Sequence, residues 1–126
     1  MRRLLPLAAL VFVLAGGCGD DDKEPGRTVT AEPGGTVRVV AKEYSFDPET
    51  VVVSGSGKLK LELDNEGSLA HNLRVLDGAT EIGGTPTFSA GETRSGTVRL
   101  EPGEYKLECT VGDHAQLGMT GKLTVK

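Results

Sequence analysis

The chain predicts an all-β fold, a β-sandwich of about seven to eight short strands, and three observations carry that expectation. Apolar and charged residues alternate at a spacing of two, Gly and Pro clusters punctuate the runs, and no stretch shows a convincing amphipathic helix. Many short strands with frequent turns pack as two facing sheets, here expected to be antiparallel. At 126 residues one domain is the natural reading.

The amino terminus stands apart from that fold. Arg2 and Arg3 precede an apolar stretch from Leu4 to Ala15, too short for an ordinary transmembrane helix and of the right length for a signal-peptide core. It ends in Leu14-Ala15-Gly16-Gly17-Cys18, which resembles the lipobox of bacterial lipoproteins, with Ala15 where that motif most often has Leu. The resemblance implies a leader over residues 1–17 and a lipid on Cys18. The protein would then be exported and anchored to the outer face of a bacterial membrane, periplasmic or cell-surface. Arg2-Arg3 is compatible with twin-arginine export, but any secretory signal carries such a pair.

From Cys18 to Gly35 the chain is acidic, rich in Gly and Pro and poor in large apolar side chains, so a flexible tether is expected over 18–35 and the folded domain over 36–126. Val37, Val39 and Ala41 then alternate with Arg38 and Lys42. Leu59, Leu61 and Leu63 alternate with Lys58, Lys60, Glu62 and Asp64. Both runs read as half-buried strands. Further strands are expected at Val51 to Val53, Leu73 to Leu76, Thr97 to Leu100, Glu104 to Val111 and Met119 to Val125. Ser54-Gly-Ser-Gly57, Gly83-Gly84 and Glu101-Pro102-Gly103 supply the turns between them.

The chemistry is concentrated near the carboxyl end. Cys109, His114 and Met119 stand with four residues between each pair, and His71 lies 38 residues before Cys109. The chain has two His, two Cys and two Met, so with Met1 as initiator and Cys18 at the membrane these four are nearly all its soft and imidazole ligands. Two imidazoles, a thiolate and a thioether are the ligand set of a mononuclear electron-transfer copper site. An inward His, Cys or Met taken singly is more often ordinary packing. Together they are stronger, because with Cys18 lipidated Cys109 has no disulfide partner in an oxidising compartment, and metal ligation removes that anomaly.

Strand parity agrees with the grouping. His71, Leu73 and Val75 share one face, as do Tyr105, Leu107 and Cys109, and Met119, Leu123 and Val125. Three of the four proposed ligands therefore sit at strand ends on the inward side, and His114 comes from the loop joining two of those strands.

Phe46-Asp-Pro-Glu-Thr-Val-Val-Val, His71-Asn72, Pro102-Gly-Glu-Tyr-Lys-Leu-Glu-Cys109 and the run from Cys109 to Met119 resemble the cupredoxin family of small blue copper proteins, in its plastocyanin and azurin branch. The likeness spans about residues 36 to 126. It implies a Greek-key sandwich holding one type 1 copper that cycles between Cu(I) and Cu(II). His71 and His114 would bind through Nδ1, Cys109 as thiolate and Met119 axially, with Asn72 and Thr110 tying the two ligand-bearing segments together. Gly112-Asp113 departs from the Pro-Gly of many relatives and puts a charge beside the site.

The ligand count argues against an enzyme. A multicopper oxidase or nitrite reductase needs many more histidines, a dinuclear copper centre needs a second loop Cys where Asp113 stands, and structural zinc does not ordinarily take a thioether. No basic patch with interleaved aromatics supports nucleic-acid binding. The expectation is a monomeric carrier of single electrons between redox proteins such as a cytochrome or a membrane oxidase. The rival is a copper carrier, storage or delivery protein with the same site. Ala115, Leu117 and Gly118, small or apolar beside His114, are the expected docking patch. The whole chain carries a net charge of −4, and removing Arg2 and Arg3 with the leader takes this to −6, which favours a basic partner.

Overall fold

The computed structural model describes residues 26–126. The leader, Cys18 and the first part of the expected tether lie outside the described residues. Ten strands are present among those described: β1 (Thr28–Ala31), β2 (Thr36–Lys42), β3 (Ser45–Asp47), β4 (Thr50–Val53), β5 (Gly57–Asn65), β6 (Arg74–Asp77), β7 (Thr80–Gly84), β8 (Thr93–Leu100), β9 (Gly103–Glu108) and β10 (Thr120–Val125). They form a six-stranded sheet in the order β1-β4-β10-β9-β6-β7 and a four-stranded sheet in the order β3-β2-β5-β8.

Alternation in the sequence becomes the two inner faces of the sandwich. In β5, Leu59, Leu61 and Leu63 are fully buried, whereas Lys58 and Lys60 between and beside them are exposed. Val37, Val39 and Ala41 of β2 and Val98 and Leu100 of β8 line the same face. The six-stranded sheet presents Val51, Val53, Val75, Leu107, Leu123 and Val125 to them, and Leu73, just before β6, is buried with these. Burial of each aliphatic side chain contributes about 1.5–3 kcal/mol. A one-residue slip of β5 would turn Lys58, Lys60 and Glu62 inward, so the pattern fixes its register.

The structure corrects the sequence reading in four respects, the last of them at His71. Part of the expected tether is folded: β1 pairs along β4, from Thr28 opposite Thr50 to Ala31 opposite Val53, and Val29 and Ala31 pack against the core. Four residues with one medium-sized apolar side chain do not announce a strand; an open sheet edge recruits them. β3 and β7 were likewise not expected, and β7 is an edge strand whose Thr80, Glu81 and Ile82 are exposed. The sheets are also mixed. β1 with β4, β4 with β10 and β2 with β5 run parallel, because the chain crosses between sheets before it pairs.

Three neighbouring strands bring the proposed ligands to one end. β6 and β10 both pair antiparallel with β9, with Arg74 and Thr120 each opposite Glu108. Cys109 follows β9 directly and Met119 directly precedes β10; the Cys109 amide donates to the Met119 carbonyl at 3.1 Å. His71 lies three residues before β6, outside the strand in which it was expected, and is held by two reciprocal backbone bonds to Phe88, both 3.1 Å.

Candidate metal centre

The short loop after β9 turns back on itself so that His114 reaches Cys109. The His114 amide donates to Val111 O at 3.0 Å, Leu117 N to Asp113 O and His114 O at 3.1 Å, and Met119 N to His114 O at 3.1 Å. Gly112 (φ 49°) and Gly118 (φ 107°) occupy left-handed backbone at the two ends of this turn, a conformation that only Gly adopts without cost. Gly112 thus supplies a tight bend.

Nδ1 of His71 lies 3.8 Å from Cys109 Sγ, and Nδ1 of His114 lies 3.5 Å from it. The donor atoms of the three residues are all within 4.8 Å of one another, and all three side chains are buried. The imidazole rings stand 5.0 Å apart, and Tyr44 tilts against His114 at 5.2 Å. Met119 is fully buried beside this group. Of the four, His114 alone reaches solvent, at 7% exposure.

Two polar clamps hold the His71 segment. Asn72 Nδ2 donates to Thr87 Oγ1 and Thr110 Oγ1, each at 2.9 Å, and Asn72 Oδ1 accepts the Thr110 amide at 2.8 Å. The residue after His71 is thereby tied to the residue after Cys109. Asn65, fully buried, donates to Leu69 O at 2.9 Å and Phe88 O at 3.3 Å and accepts from Gly67 N at 3.0 Å. No buried side-chain nitrogen or oxygen among the described residues lacks a partner.

On its outer side His71 meets Glu43. Glu43 Oε1 accepts from Ser68 N at 2.7 Å and Leu69 N at 2.8 Å, and lies 3.1 Å from His71 Nε2. The Leu69 and Ser68 amides, with a smaller contribution from His71, hold the Glu43 carboxyl down at about 2. Burial pushes His71 below its ordinary value despite the opposing pull of Glu43. A neutral imidazole beside an ionised carboxylate must place its one proton on the nitrogen facing that carboxylate. With its hydrogen on Nε2, the neutral ring donates to Glu43 and leaves the Nδ1 lone pair on the side where Cys109 and His114 lie.

This donor set fits a first-row metal. Bonds of about 2.3 Å to sulfur and about 2.0 Å to nitrogen, opened by roughly 110–120°, place sulfur and nitrogen about 3.5–3.8 Å apart. The two observed separations are 3.5 and 3.8 Å. One buried sulfur with two imidazoles is consistent with copper.

A family model described as the cupredoxin-like domain matches residues 7–125. The chain belongs to the cupredoxin-like family. Solved structures with the same fold include auracyanin B, 23% identical with a TM-score of 0.68, covering 78% of this chain and 93% of that one. Auracyanin A of Chloroflexus aurantiacus, described as a "blue" copper protein, is 22% identical with a TM-score of 0.63, covering 79% of this chain and all of the other. An azurin of Methylomonas sp. strain J is 15% identical with a TM-score of 0.60, covering 72% and 97%. A comparison with curated protein sequences gives no match.

Within this cupredoxin-like domain the structure brings His71, Cys109 and His114 together with Met119 alongside, and Asn72 and Thr110 bond to each other behind them. Ala115 and Gly118 are half-buried, and Leu117 is 50% exposed. Sequence reasoning missed Glu43, Tyr44, Asn65 and the exposed Leu69. Leu69 had a legible signal, an isolated large apolar residue in a polar loop two positions before a proposed ligand. Glu43 had none, since 28 residues separate it from His71.

Proposed function

We propose that this cupredoxin-like protein is a mononuclear type 1 copper protein, not an enzyme, that shuttles single electrons between redox partners at the extracytoplasmic surface of a membrane. One observation carries the reading: two Nδ1 atoms flank a buried free thiol at the separations a bound metal requires. Copper, when bound, supplies the one-electron Cu(I)/Cu(II) couple. Cys109 would be the anionic donor, His71 and His114 the imidazole donors, and Met119 a weak thioether donor. Binding needs neutral imidazoles, a form that burial already favours at His71. Asn72 and Thr110 hold the ligand-bearing segments at fixed separation in both oxidation states.

A copper carrier must hand its ligands over to an acceptor. His71, Cys109 and Met119 expose no surface, which favours electron exchange over metal transfer. Electrons would pass at the His114 edge, with Ala115, Leu117 and Gly118 as the docking patch. A small apolar patch within an acidic domain suits a brief encounter of a monomer with a basic cytochrome or membrane oxidase. Cys18 would carry the lipid that keeps the protein on the outer face of the membrane. The chain enters the sheet at Thr28, in register with Thr50 and, one strand further, Lys122, which is three residues past Met119. An anchor ten residues earlier would therefore hold the copper end within reach of a membrane-embedded partner.

Cu(II) titration of the domain from Gly26 onward tests this. The expected result is one equivalent of copper and an intense visible thiolate-to-copper charge-transfer band, lost in Cys109→Ala. Met119→Leu should keep the band and raise the potential, because loss of a weak axial donor disfavours Cu(II). Colourless stoichiometric binding of Cu(II) would remove the type 1 assignment.

A further inference from the structure

We infer that Glu43 is a positioning residue for the metal centre: its carboxylate accepts a hydrogen bond from His71 Nε2–H, orients the ring with Nδ1 toward Cys109, and lays a negative charge against that ligand. The inference rests on the copper reading above and adds a residue that stands outside the ligand set. Three distances carry it. Oε1 of Glu43 lies 3.1 Å from His71 Nε2, 2.7 Å from Ser68 N and 2.8 Å from Leu69 N. The carboxylate is thus fixed by the two amides, and the imidazole is fixed by the carboxylate. The ring itself is fully buried, with the carboxylate on one edge and Cys109 Sγ 3.8 Å from the other.

A carboxylate behind a ligating imidazole does two separable things. It chooses the tautomer, and it makes the imidazole a stronger donor, which stabilises the more highly charged metal state. Oε2 of Glu43 makes no hydrogen bond among the described residues, whereas Oε1 takes all three. Glu43→Gln therefore leaves an oxygen where the three donors need one and places the amide nitrogen at the unbonded position. The change removes charge and keeps the clamp.

Two measurements on the full-length protein in detergent test the inference. Long-range 15N–1H spectra of the metal-free wild type should show His71 with a protonated Nε2 and a bare Nδ1; a protonated Nδ1 would overturn the positioning role. In the copper-loaded protein, Glu43→Gln should weaken Cu(II) binding relative to Cu(I) about tenfold, read as a rise of about 59 mV in potential. An unchanged potential, with the visible band and the metal-free spectrum as in wild type, would reduce Glu43 to a clip on the 66–70 loop. Should the variant not fold, the wild-type tautomer still decides the contact. If wild type shows no visible band, the copper reading fails by itself, and the metal-free tautomer measurement continues to report on Glu43.

Discussion

The middle of the sandwich interior and its metal end are built by different means. Between the sheets, the middle of the molecule is Leu59, Leu61, Leu63, Leu107 and Leu123, all fully buried and non-directional in their packing. At the metal end the interior is polar: the buried polar residues among those described are Asn65, His71, Asn72, Thr85 and His114. Each lies on or bonds to a segment that carries a proposed ligand or packs beside one. The apolar part supplies stability that depends on volume, whereas the polar part supplies position that depends on satisfied hydrogen bonds. A site of this kind is held by Asn72, Asn65 and Glu43, and the leucines beneath it set only how firmly its platform stands.

That contrast predicts different failures. Leu61→Ala opens a cavity in the middle of β5 and should cost about 2–5 kcal/mol in a denaturant titration. Its copper spectrum should stay that of the wild type as long as the protein is folded. Asn72→Ala leaves the Thr110 amide without its acceptor and should cost about 1–3 kcal/mol. Here the spectrum should change as well, because the tie between the His71 and Cys109 segments is gone. If Leu61→Ala perturbs the visible band as much as Asn72→Ala does, the two regions are not mechanically separate.

The apolar half was largely legible in the sequence, and the polar half only in its ligands and, through the family resemblance, in the Asn72–Thr110 tie. Period-two alternation identified β2 and β5, since a strand with one face in the core and one in water must show it. The same parity placed Leu107 with Cys109 and Leu123 with Met119. Edge strands carry no such signal: β1 has Val29 alone as a sizeable apolar residue, and β7 exposes most of its side chains. Parallel pairing was equally invisible, because a strand's own pattern does not record its neighbour's direction. Glu43 followed Lys42 as one more solvated charge, and only the crossing of the 66–71 loop over it reveals a partner.

A smaller, graded difference should appear with pH in the metal-free protein. His71 is held below its ordinary 6.5, so the fold favours the neutral ring. That contribution is complete above 6.5 and is lost as pH falls through the lower folded value, since the unfolded chain then binds the proton more readily. Glu43 follows at lower pH: its contribution is present above the usual 4.5 and disappears as pH falls toward about 2. Melting temperatures between pH 8 and 3 should therefore decline in two stages. Leu61→Ala should shift the whole curve down without altering its shape, whereas Glu43→Gln should erase the second stage. A single decline confined to the region below 4.5 would remove the His71 part of this account.

The smallest effect on stability, and the sharpest on function, is expected at the surface of the metal end. Leu117 is 50% exposed within the turn that carries His114, so Leu117→Lys should change stability by no more than about 0.5 kcal/mol. It removes no ligand and no hydrogen bond of the turn, whose backbone bonds from Leu117 to Asp113 and His114 survive the substitution. The visible band should therefore hardly move. Electron exchange with a cytochrome should slow, because a lysine at the centre of the patch has to be desolvated in every encounter and repels a basic partner. The same substitution at Lys126, at the far end of β10, is already what nature placed there, and Lys126→Leu serves as the control. If Leu117→Lys leaves the second-order rate constant unchanged across several ionic strengths, while Lys126→Leu alters it, electrons leave by a route other than the His114 edge.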